Sequence, residues 1–375
     1  MLLREQEQAM YVAPEAWALI AGLVLGLAAG FTARSSAFCT LGAIADAVVG
    51  GNHRRLRAWA LALAVAMIGS QALHHLSLLD LGASIYLQAP FSALAILAGG
   101  WLFGLGMALV GTCGFGTLIR FGGGDLRALV DMACLGFFAY LTLSGPLAYL
   151  RVALVDATDL AMPGAAPAGL IDVAAEILAL PVADVRPFVI VPIIGVLLLY
   201  SLSDAGLRRR PKEMLAALAI GLVIPLGWLA TGYLGHDPFA PEAPASLTFV
   251  RPIGDGFLYM MLMSGMRPTF GVATVAGVMI GALIAARAAA EWRVEGFDGE
   301  REMIRHLAGA ALMGIGGVLA LGCTIGQGMS AMSTLALSAP LALIAIFLGA
   351  VCGLRYLEEG SLMGVLRVLT GRYPS

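Results

Sequence analysis

The chain has 375 residues, of which 60% are hydrophobic and 12% are charged, and its mean hydropathy is +0.90. Soluble domains carry about 25% charged residues, so these values exclude an ordinary water-soluble protein and indicate one that spans a membrane. The net charge of −2 leaves no basic domain to neutralise phosphates, which excludes a nucleic-acid-binding protein. The first ten residues lack an apolar segment, so we expect no cleavable signal peptide.

Runs with few or no charged residues predict the membrane crossings. Nine such runs lie at 16–33, 58–79, 91–111, 128–150, 187–204, 213–234, 268–286, 303–321 and 338–355. Two charge-free stretches, Phe91–Ile119 and Leu307–Leu354, are too long for one crossing and contain the glycine-rich pieces GTCGFGT and LGCTIGQGMS. We expect each to hold a helix that ends at membrane depth and a short helix that restarts, which requires backbone buried in protein or lining a cavity. Short runs at 36–49 and 253–264 predict re-entrant half-helices by the same reasoning.

The two halves of the chain resemble each other at an offset of 210 residues. This offset sets Cys113 on Cys323 within the shared pattern A-G-x4-G-x-G-x6-C-x2-G. Four crossings in the first half, one extra crossing and four in the second half give repeats of opposite direction, as in many secondary transporters. The predicted fold class is therefore an all-α polytopic membrane protein with about nine transmembrane helices, short re-entrant half-helices and two inverted-topology repeats.

Basic residues predict the orientation. With nine crossings, 17 of the 22 Lys and Arg residues fall on one side, and the other side keeps Arg4, Arg151, Arg186, Arg251 and Arg267. The positive-inside rule then puts the N-terminus in the periplasm and the C-terminus in the cytoplasm of a cell inner membrane. The predicted domains are a first repeat at 1–150 with Cys39 and Cys113, an external acidic linker at 151–186, an extra linking span at 187–205, a second repeat at 206–355 with Cys323, and a cytoplasmic tail at 356–375.

Three of the five cysteines lie at the predicted helix breaks: Cys39, Cys113 and Cys323. A half-helix that begins just after such a cysteine directs free N–H groups and the positive end of its dipole at the break. This makes an anion site without a buried cation, which would be expensive at that depth, and a neutral thiol adds a weak, polarizable donor suited to a soft sulfur atom. Cys134 and Cys352 lie inside ordinary crossings and are expected to serve packing alone.

Further residues around the breaks are candidates for lining the path. The expected substrate-binding residues besides the three cysteines are Gly114, Gly116, Gly322, Gly326, Thr112, Thr324 and Gln327. Hydroxyl groups of Thr117, Ser330 and Ser333 serve either the path or helix packing. Arg251 and Arg267 either attract an anion or are ordinary loop charges, and Asp131 either couples protons or lies near the membrane interface. Arg120 before GGGD resembles a phosphate loop only superficially, and neither metal nor other cofactor is expected.

At these residues the chain resembles the YeeE/YedE family, most specifically at Cys39, GTCGFGTLIRFGGG and GCTIGQG, over roughly 16–355. The resemblance implies uptake of thiosulfate from the periplasm past Cys323, then Cys113, then Cys39, with the thiols passing the ion along by S–H···S contacts. It also implies a TusA-like cytoplasmic sulfur carrier as a partner. The acidic linker at 151–186 departs from the family.

Two other classes of function are open. A membrane-embedded thiol enzyme that transfers sulfur to a carrier, or relays electrons, needs a resolving cysteine beside the reactive one. The sequence has no CxxC, and proximity of Cys39 to Cys113 would favour this alternative. A structural subunit would not need cysteines at backbone breaks. The residues alone lead to a small-anion transporter with a thiol-lined path, and only the resemblance names thiosulfate.

Overall fold

The computed structural model describes residues 14–158, 169–235 and 242–360, which are mostly helical and contain no β-strand within these ranges. The first half comprises α1 Pro14–Ser36, α2 Thr40–Val48, α3 Arg54–His75, α4 Ile85–Gln88, α5 Ala93–Val110, α6 Gly114–Gly122 and α7 Arg127–Leu143. A linking region holds α8 Leu147–Thr158, α9 Leu170–Leu178, α10 Val182–Leu202 and α11 Ala205–Arg208. The second half comprises α12 Pro211–Leu229, α13 Val250–Leu262, α14 Phe270–Ala288, α15 Glu300–Leu319, α16 Met332–Thr334 and α17 Ser338–Glu359, with π-helical turns at Ala230–Leu234 and Gly326–Ala331.

The all-α membrane fold confirms the predicted class, while the count of about nine spans is approximate. Among the described residues, seven helical segments are long and apolar enough to cross a membrane, or eight if α7 and α8, bent by 57°, form one span. The predicted span 303–321 exists as α15, but that helix begins with the charged residues Glu300, Arg301 and Glu302 and is not among the seven. Helices α2 and α13 lie where the half-helices were predicted, and residues 159–168 and 361–375 of the predicted linker and tail lie outside the described ranges.

The two halves pack by one scheme. In the first half α1 lies along α14, and in the second half its counterpart α12 lies along α3. Likewise α5 packs on α17, and α15 packs on α7. Each helix therefore contacts a helix of the other half, so the halves interlock around a shared centre instead of forming two separate bundles.

The crossing of α5 and α15 shows the relation between the halves most directly. A Cβ atom on Gly99 would lie 2.7 Å from the carbonyl oxygen of Gly316, and one on Gly309 would lie 2.8 Å from that of Gly106. Because the 210 offset pairs Gly99 with Gly309 and Gly106 with Gly316, exchanging the halves converts one contact into the other. Small residues are what lets membrane helices approach so closely. The observed packing follows the inverted repeat; the exact domain boundaries stay a prediction.

Ion pairs mark one end of the molecule, which we call the basic end. There Arg34 at the end of α1 contacts Glu291 beyond α14, at 3.2 Å. Arg127 at the start of α7 contacts Glu295 at 2.8 Å, and Arg54 at the start of α3 contacts Glu213 of α12 at 3.1 Å. Helices α3 and α15 run away from the basic end, so the chain reaches the opposite end where they stop, at His75 and Leu319.

Helix α10 differs from the other long helices because only two of its residues, Val185 and Ser201, are buried. Its large apolar side chains include Phe188, exposed by 79%, and Leu199, exposed by 72%. It packs against α3 and α9 only along one side. An apolar helix surface of this kind suits contact with lipid, as expected for the extra linking span.

Candidate functional site

The three cysteines predicted to line a path occupy three helix breaks of the same construction. Each break contains a residue in the left-handed conformation two positions before the cysteine: Ala37 (φ 52°), Gly111 (φ 80°) and Leu321 (φ 59°). Such a residue ends a helix by turning the chain out of the helical path. A new helical segment then starts, and the cysteine carbonyl accepts its first backbone hydrogen bond in every case, from Ala43, Thr117 and Gln327. Each break is thus a helix end, a left-handed turn and a helix start capped by cysteine.

The thiols of Cys39 and Cys323 accept a hydrogen bond from the glycine three residues later. The N–H of Gly42 donates to Sγ of Cys39 at 3.5 Å, and the N–H of Gly326 donates to Sγ of Cys323 at 3.3 Å. In the middle break the N–H of Gly116 lies close to the Cys113 thiol, which makes no capping hydrogen bond. The sulfurs of Cys39 and Cys323 therefore occupy the place that an N-cap oxygen normally takes, at the positive end of the helical segment.

The structure brings the three predicted cysteines together, with Cys113 in the middle. Its thiol lies within electrostatic range of both Cys39 and Cys323. Cys113 and Cys323 are buried, with 1% and 0% exposure, whereas Cys39 is half-buried. A cavity of about 160 Å³ at the basic end reaches Cys39 and is lined also by Arg54, Arg55 and Trp59. All five cysteines of the chain are free thiols.

The other predicted site residues surround these breaks. Gly114 and Gly116 form the first turn of α6, and Thr112 is buried just before it. Thr324 has no exposure, and its Oγ1 makes no hydrogen bond of standard geometry within the described residues, although it faces the Cys113 thiol. Gln327 is committed to its own segment, because its Nε2 donates to the carbonyl oxygen of Ala320 at 2.6 Å. Gly322 lies in the turn that leads to Cys323.

Three hydroxyl groups that the sequence assigns either to the path or to helix packing donate hydrogen bonds to the backbone. The hydroxyls of Thr117, Ser330 and Ser333 donate to the carbonyl oxygens of Cys113, Leu247 and Ser330 at 2.9, 2.6 and 2.7 Å. Such bonds satisfy the hydroxyls without a ligand. These side chains hold the broken segments in place, so their geometry favours the packing interpretation.

A fourth break, which lacks a cysteine, completes the centre. The residue that the 210 offset pairs with Cys39 is Phe249, which precedes α13 and whose carbonyl accepts the first hydrogen bond of that helix, from Ile253 at 3.1 Å. Phe249 is fully buried and stacks on Phe115 of α6, with ring centroids 4.9 Å apart. An aromatic ring therefore fills the place of a fourth thiol, beside the break that holds Cys113.

Two residues beside Cys323, Tyr86 and Thr248, were not among the predicted site residues. The hydroxyl of Tyr86, on the short helix α4, and Oγ1 of Thr248 both lie beside Gly326, and the Tyr86 hydroxyl is within electrostatic range of Cys323. The Tyr86 ring meets Trp228 edge to face, with centroids 6.3 Å apart. Tyr86 lies in a loop of ordinary composition, and no periodicity or motif marks it as a site residue. The only signal in the sequence is that Thr248 directly precedes Phe249, the position paired with Cys39.

The remaining candidates have other partners. Sγ of Cys134 donates to the carbonyl oxygen of Leu307 at 3.3 Å, between α7 and α15. Asp131 is buried and pairs with Nδ1 of His306 at 3.0 Å across the same helix contact, a partner that the sequence does not reveal. Arg120 donates to the carbonyl oxygens of Val110 and Gly111, so it caps the end of α5 and forms no phosphate loop. Arg251 pairs with Asp255 at 3.5 Å.

A larger cavity, of about 460 Å³, lies at the basic end. Its lining combines Arg34, Arg120, Arg127, Arg293 and Arg305 with carboxylates and His306. Most of these charges face each other, so the cavity has little excess of either sign. Within the described ranges, no group of three or more His, Cys, Asp or Glu side chains is placed to hold a metal ion.

The chain is similar to known sulfur-transport proteins. A family model described as "Sulphur transport" matches residues 35–352. The thiosulfate transporter TsuA of Escherichia coli (strain K12) is 25% identical over 342 residues, which cover 84% of this chain and 88% of the relative. The thiosulfate transporter TsuA of Spirochaeta thermophila is 24% identical over 343 residues, which cover 88% of this chain and 96% of the relative. The match begins before Cys39 and ends after Cys323, so it includes all three broken segments.

Proposed function

The chain belongs to the sulphur transport (YeeE/YedE) family, and from this membership we propose that it imports thiosulfate or a similar small sulfur-containing anion across the cell inner membrane. It is a multi-pass membrane transporter and not an enzyme. The relatives named as thiosulfate transporters support a sulfur anion as the substrate. We also propose the path of the anion through the protein, the direction of transport and the chemical form of the transported ion.

The observation that carries the proposal is the gathering of three thiols at three helix starts. Each start presents unpaired N–H groups and the positive end of a helical segment, which favour an anion without a buried cation. Thiols are polarizable weak donors, so they suit the terminal sulfur of thiosulfate. We propose that the ion passes Cys323, then Cys113, then Cys39, where the cavity beside Arg54 and Arg55 opens toward the basic end.

The direction follows from the charges at the two ends. The basic end carries Arg34, Arg54, Arg120 and Arg127, and cytoplasmic loops of inner-membrane proteins are rich in such residues. We therefore propose that the basic end faces the cytoplasm, with the N-terminus in the periplasm and the C-terminus in the cytoplasm. A TusA-like sulfur carrier would then receive the anion's sulfur at the basic end.

The alternative of a sulfur-transferring or redox thiol enzyme has one observation in its favour. Cys39 lies within electrostatic range of Cys113, as such an enzyme would require of a resolving cysteine. Against it, all five cysteines are free thiols, and family membership makes the chain a transporter. Quantifying intramolecular disulfide after treatment of the purified protein with a mild oxidant distinguishes the two. A Cys39–Cys113 disulfide that forms and is reduced with each turnover would support the enzyme.

The test of the proposed function is uptake of ³⁵S-labelled thiosulfate into proteoliposomes that contain the purified chain. We expect saturable uptake above that of empty liposomes, inhibited by unlabelled thiosulfate and only weakly by sulfate, which lacks a soft sulfur atom. A chain that is correctly inserted but moves no labelled thiosulfate, sulfite or hydrosulfide would contradict the proposal.

A further inference from the structure

Polar groups that the proposed thiol path does not use surround Cys323. The Tyr86 side chain is 5% exposed, although it comes from a short helix in the loop between α3 and α5. Its hydroxyl lies near the Thr248 side chain and within electrostatic range of Cys323. Burial first, and the nearby Cys323 thiol second, raise the pKa of Tyr86, so the phenol stays protonated and remains a hydrogen-bond donor.

Gly326 allows these hydroxyls to approach the thiol. A Cβ atom on Gly326 would lie 2.5 Å from Oγ1 of Thr248 and 3.2 Å from the Tyr86 oxygen, which any larger residue would displace. The N–H of the same glycine donates to Sγ of Cys323. One thiol and two hydroxyls therefore converge around a single backbone position.

A third hydroxyl continues this arrangement toward the next thiol. Oγ1 of Thr324 is fully buried, makes no hydrogen bond of standard geometry within the described part of the chain, and faces Cys113. A buried hydroxyl without a partner costs free energy unless a ligand or water supplies one. Thr324 directly follows Cys323, so the hydroxyls accompany the path from the outer thiol to the central one.

We propose that Tyr86, Thr248 and Thr324 form an oxygen-binding site along the path, whose hydroxyls donate to the sulfonyl oxygens of the anion while the thiols contact its terminal sulfur. The inference rests on the proposed function and deepens it. It defines the substrate class as small anions that carry both a soft sulfur atom and a sulfonyl group. Hydroxyl donors to anionic oxygens make strong, charge-assisted hydrogen bonds. Hydrosulfide lacks the oxygens and sulfate lacks the soft sulfur, so each uses only half of the site.

Substituting the hydroxyls tests the site. Tyr86→Phe removes only the phenol oxygen, and Thr324→Val removes the unpaired hydroxyl at nearly constant volume. Tyr149→Phe is the matched control, because Tyr149 lies on α8 and is 84% exposed. The measurements are thermal stability, KM for thiosulfate uptake, and the inhibition constants of sulfite and hydrosulfide, all in proteoliposomes.

We expect Tyr86→Phe to raise the KM for thiosulfate about tenfold and to weaken inhibition by sulfite by a similar factor. Inhibition by hydrosulfide should stay within twofold of that in the wild type. Thr324→Val should act in the same direction and Thr324→Ser should restore the wild-type values, while Tyr149→Phe changes none of them. Equal losses for sulfite and hydrosulfide would indicate a structural role and overturn the proposal.

The result also separates this inference from the proposed function. Wild-type protein that takes up thiosulfate, with folded Tyr86→Phe and Thr324→Val variants of unchanged KM, overturns the oxygen-binding site alone. Wild-type protein that neither takes up thiosulfate nor binds it in detergent, by isothermal titration calorimetry, overturns both.

Discussion

Cys113 has surroundings that no other cysteine of the chain shares. It is buried at the start of α6, between the other two path thiols, and two threonine hydroxyls, those of Thr112 and Thr324, lie near it. Along the proposed path, a thiol in this position would contact any ion that moves from Cys323 to Cys39. The soft S–H donor of Cys113, more than the size of its side chain, should therefore limit the rate of transport.

Replacing Cys113 with Ser tests this chemistry. Serine keeps the size but substitutes a harder donor for the soft S–H, so we expect uptake to fall tenfold or more, equal to about 1.4 kcal/mol or above in the barrier. Serine at Cys39 or Cys323 should cost less, because these positions lie at the ends of the path. Growth on thiosulfate as sole sulfur source, with membrane levels checked by immunoblot, measures the effect. Full growth of the Cys113→Ser strain would reject the thiol relay but leave an anion path lined by helix ends.

Cys134 and Cys352 supply the matched controls. Both are partly buried within α7 and α17, and Cys134 donates its S–H to a backbone carbonyl between helices. Replacing either with Ala should leave uptake within a few fold of wild type and lower stability by about 1 kcal/mol. Uptake lost from a variant that is folded and inserted would show that the path includes that residue.

The spacing of the cysteines could be predicted from the sequence, whereas the turns before them could not. The C-x-x-G spacing around Cys39, Cys113 and Cys323 is visible in the sequence, and the structure explains it through the glycine N–H groups. The left-handed turns are not visible, because two of the three use Ala37 and Leu321 instead of glycine. A non-glycine residue in this conformation costs about 1–2 kcal/mol, so only tertiary packing makes it acceptable.

At the scale of elements, the crossing of α5 and α15 holds the two halves together. The glycines at this contact bring backbone against backbone, and a Cβ atom on Gly316 would lie 2.5 Å from the carbonyl oxygen of Gly99. A substitution that separates α5 from α15 would therefore also displace the cysteine breaks that follow these two helices.

Gly316→Ala should therefore destabilise the protein, by about 1–3 kcal/mol as for other overpacked sites. Gly195→Ala in α10 is the control, because nothing lies within 4 Å of a Cβ atom there. The control should be neutral or slightly stabilising, since Ala is a better helix former than Gly. Thermal unfolding followed by fluorescence-detected gel filtration measures both, and equal melting temperatures for the two variants would contradict the close contact.

The elements themselves were largely predictable, because charge-free runs delimit membrane helices. The half-helices α2 and α13 and the restart at α6 followed from stretches too short or too long for one crossing. The linking region was less predictable: α8 continues α7 after a bend of 57°, and α9 forms within the segment interpreted as a linker. The sequence showed Asp131 inside a span but not its pairing with His306, which depends on how α7 packs on α15.

At the scale of the whole molecule, the repeat and the orientation depend on one another. An odd number of crossings before the second half makes the halves inverted, and the basic residues then gather at one end. Helix α10 is the predicted extra crossing.

Cysteine labelling in intact cells tests this topology. A cysteine that replaces Arg209, which is exposed after α11, should resist a membrane-impermeant maleimide, because the basic end is expected to face the cytoplasm. A cysteine that replaces Leu178, 57% exposed at the end of α9, should be labelled from outside. Labelling at position 209 and protection at 178 would reverse the orientation. Labelling at both positions would reject the odd crossing and the inverted repeat with it.

Along the proposed path, the unequal burial of the three thiols would make sulfur uptake sensitive to oxidants at the basic end. The cavity of about 160 Å³ reaches Cys39, whereas Cys113 and Cys323 are buried. Oxidation of an accessible thiol to a sulfenic acid is reversible, while the sulfinic and sulfonic acids are permanent lesions. A sulfinate at Cys39 would place a fixed negative charge at the last station of an anion path. Oxidative stress would then close the transporter by chemical modification of one atom, without any movement of its helices.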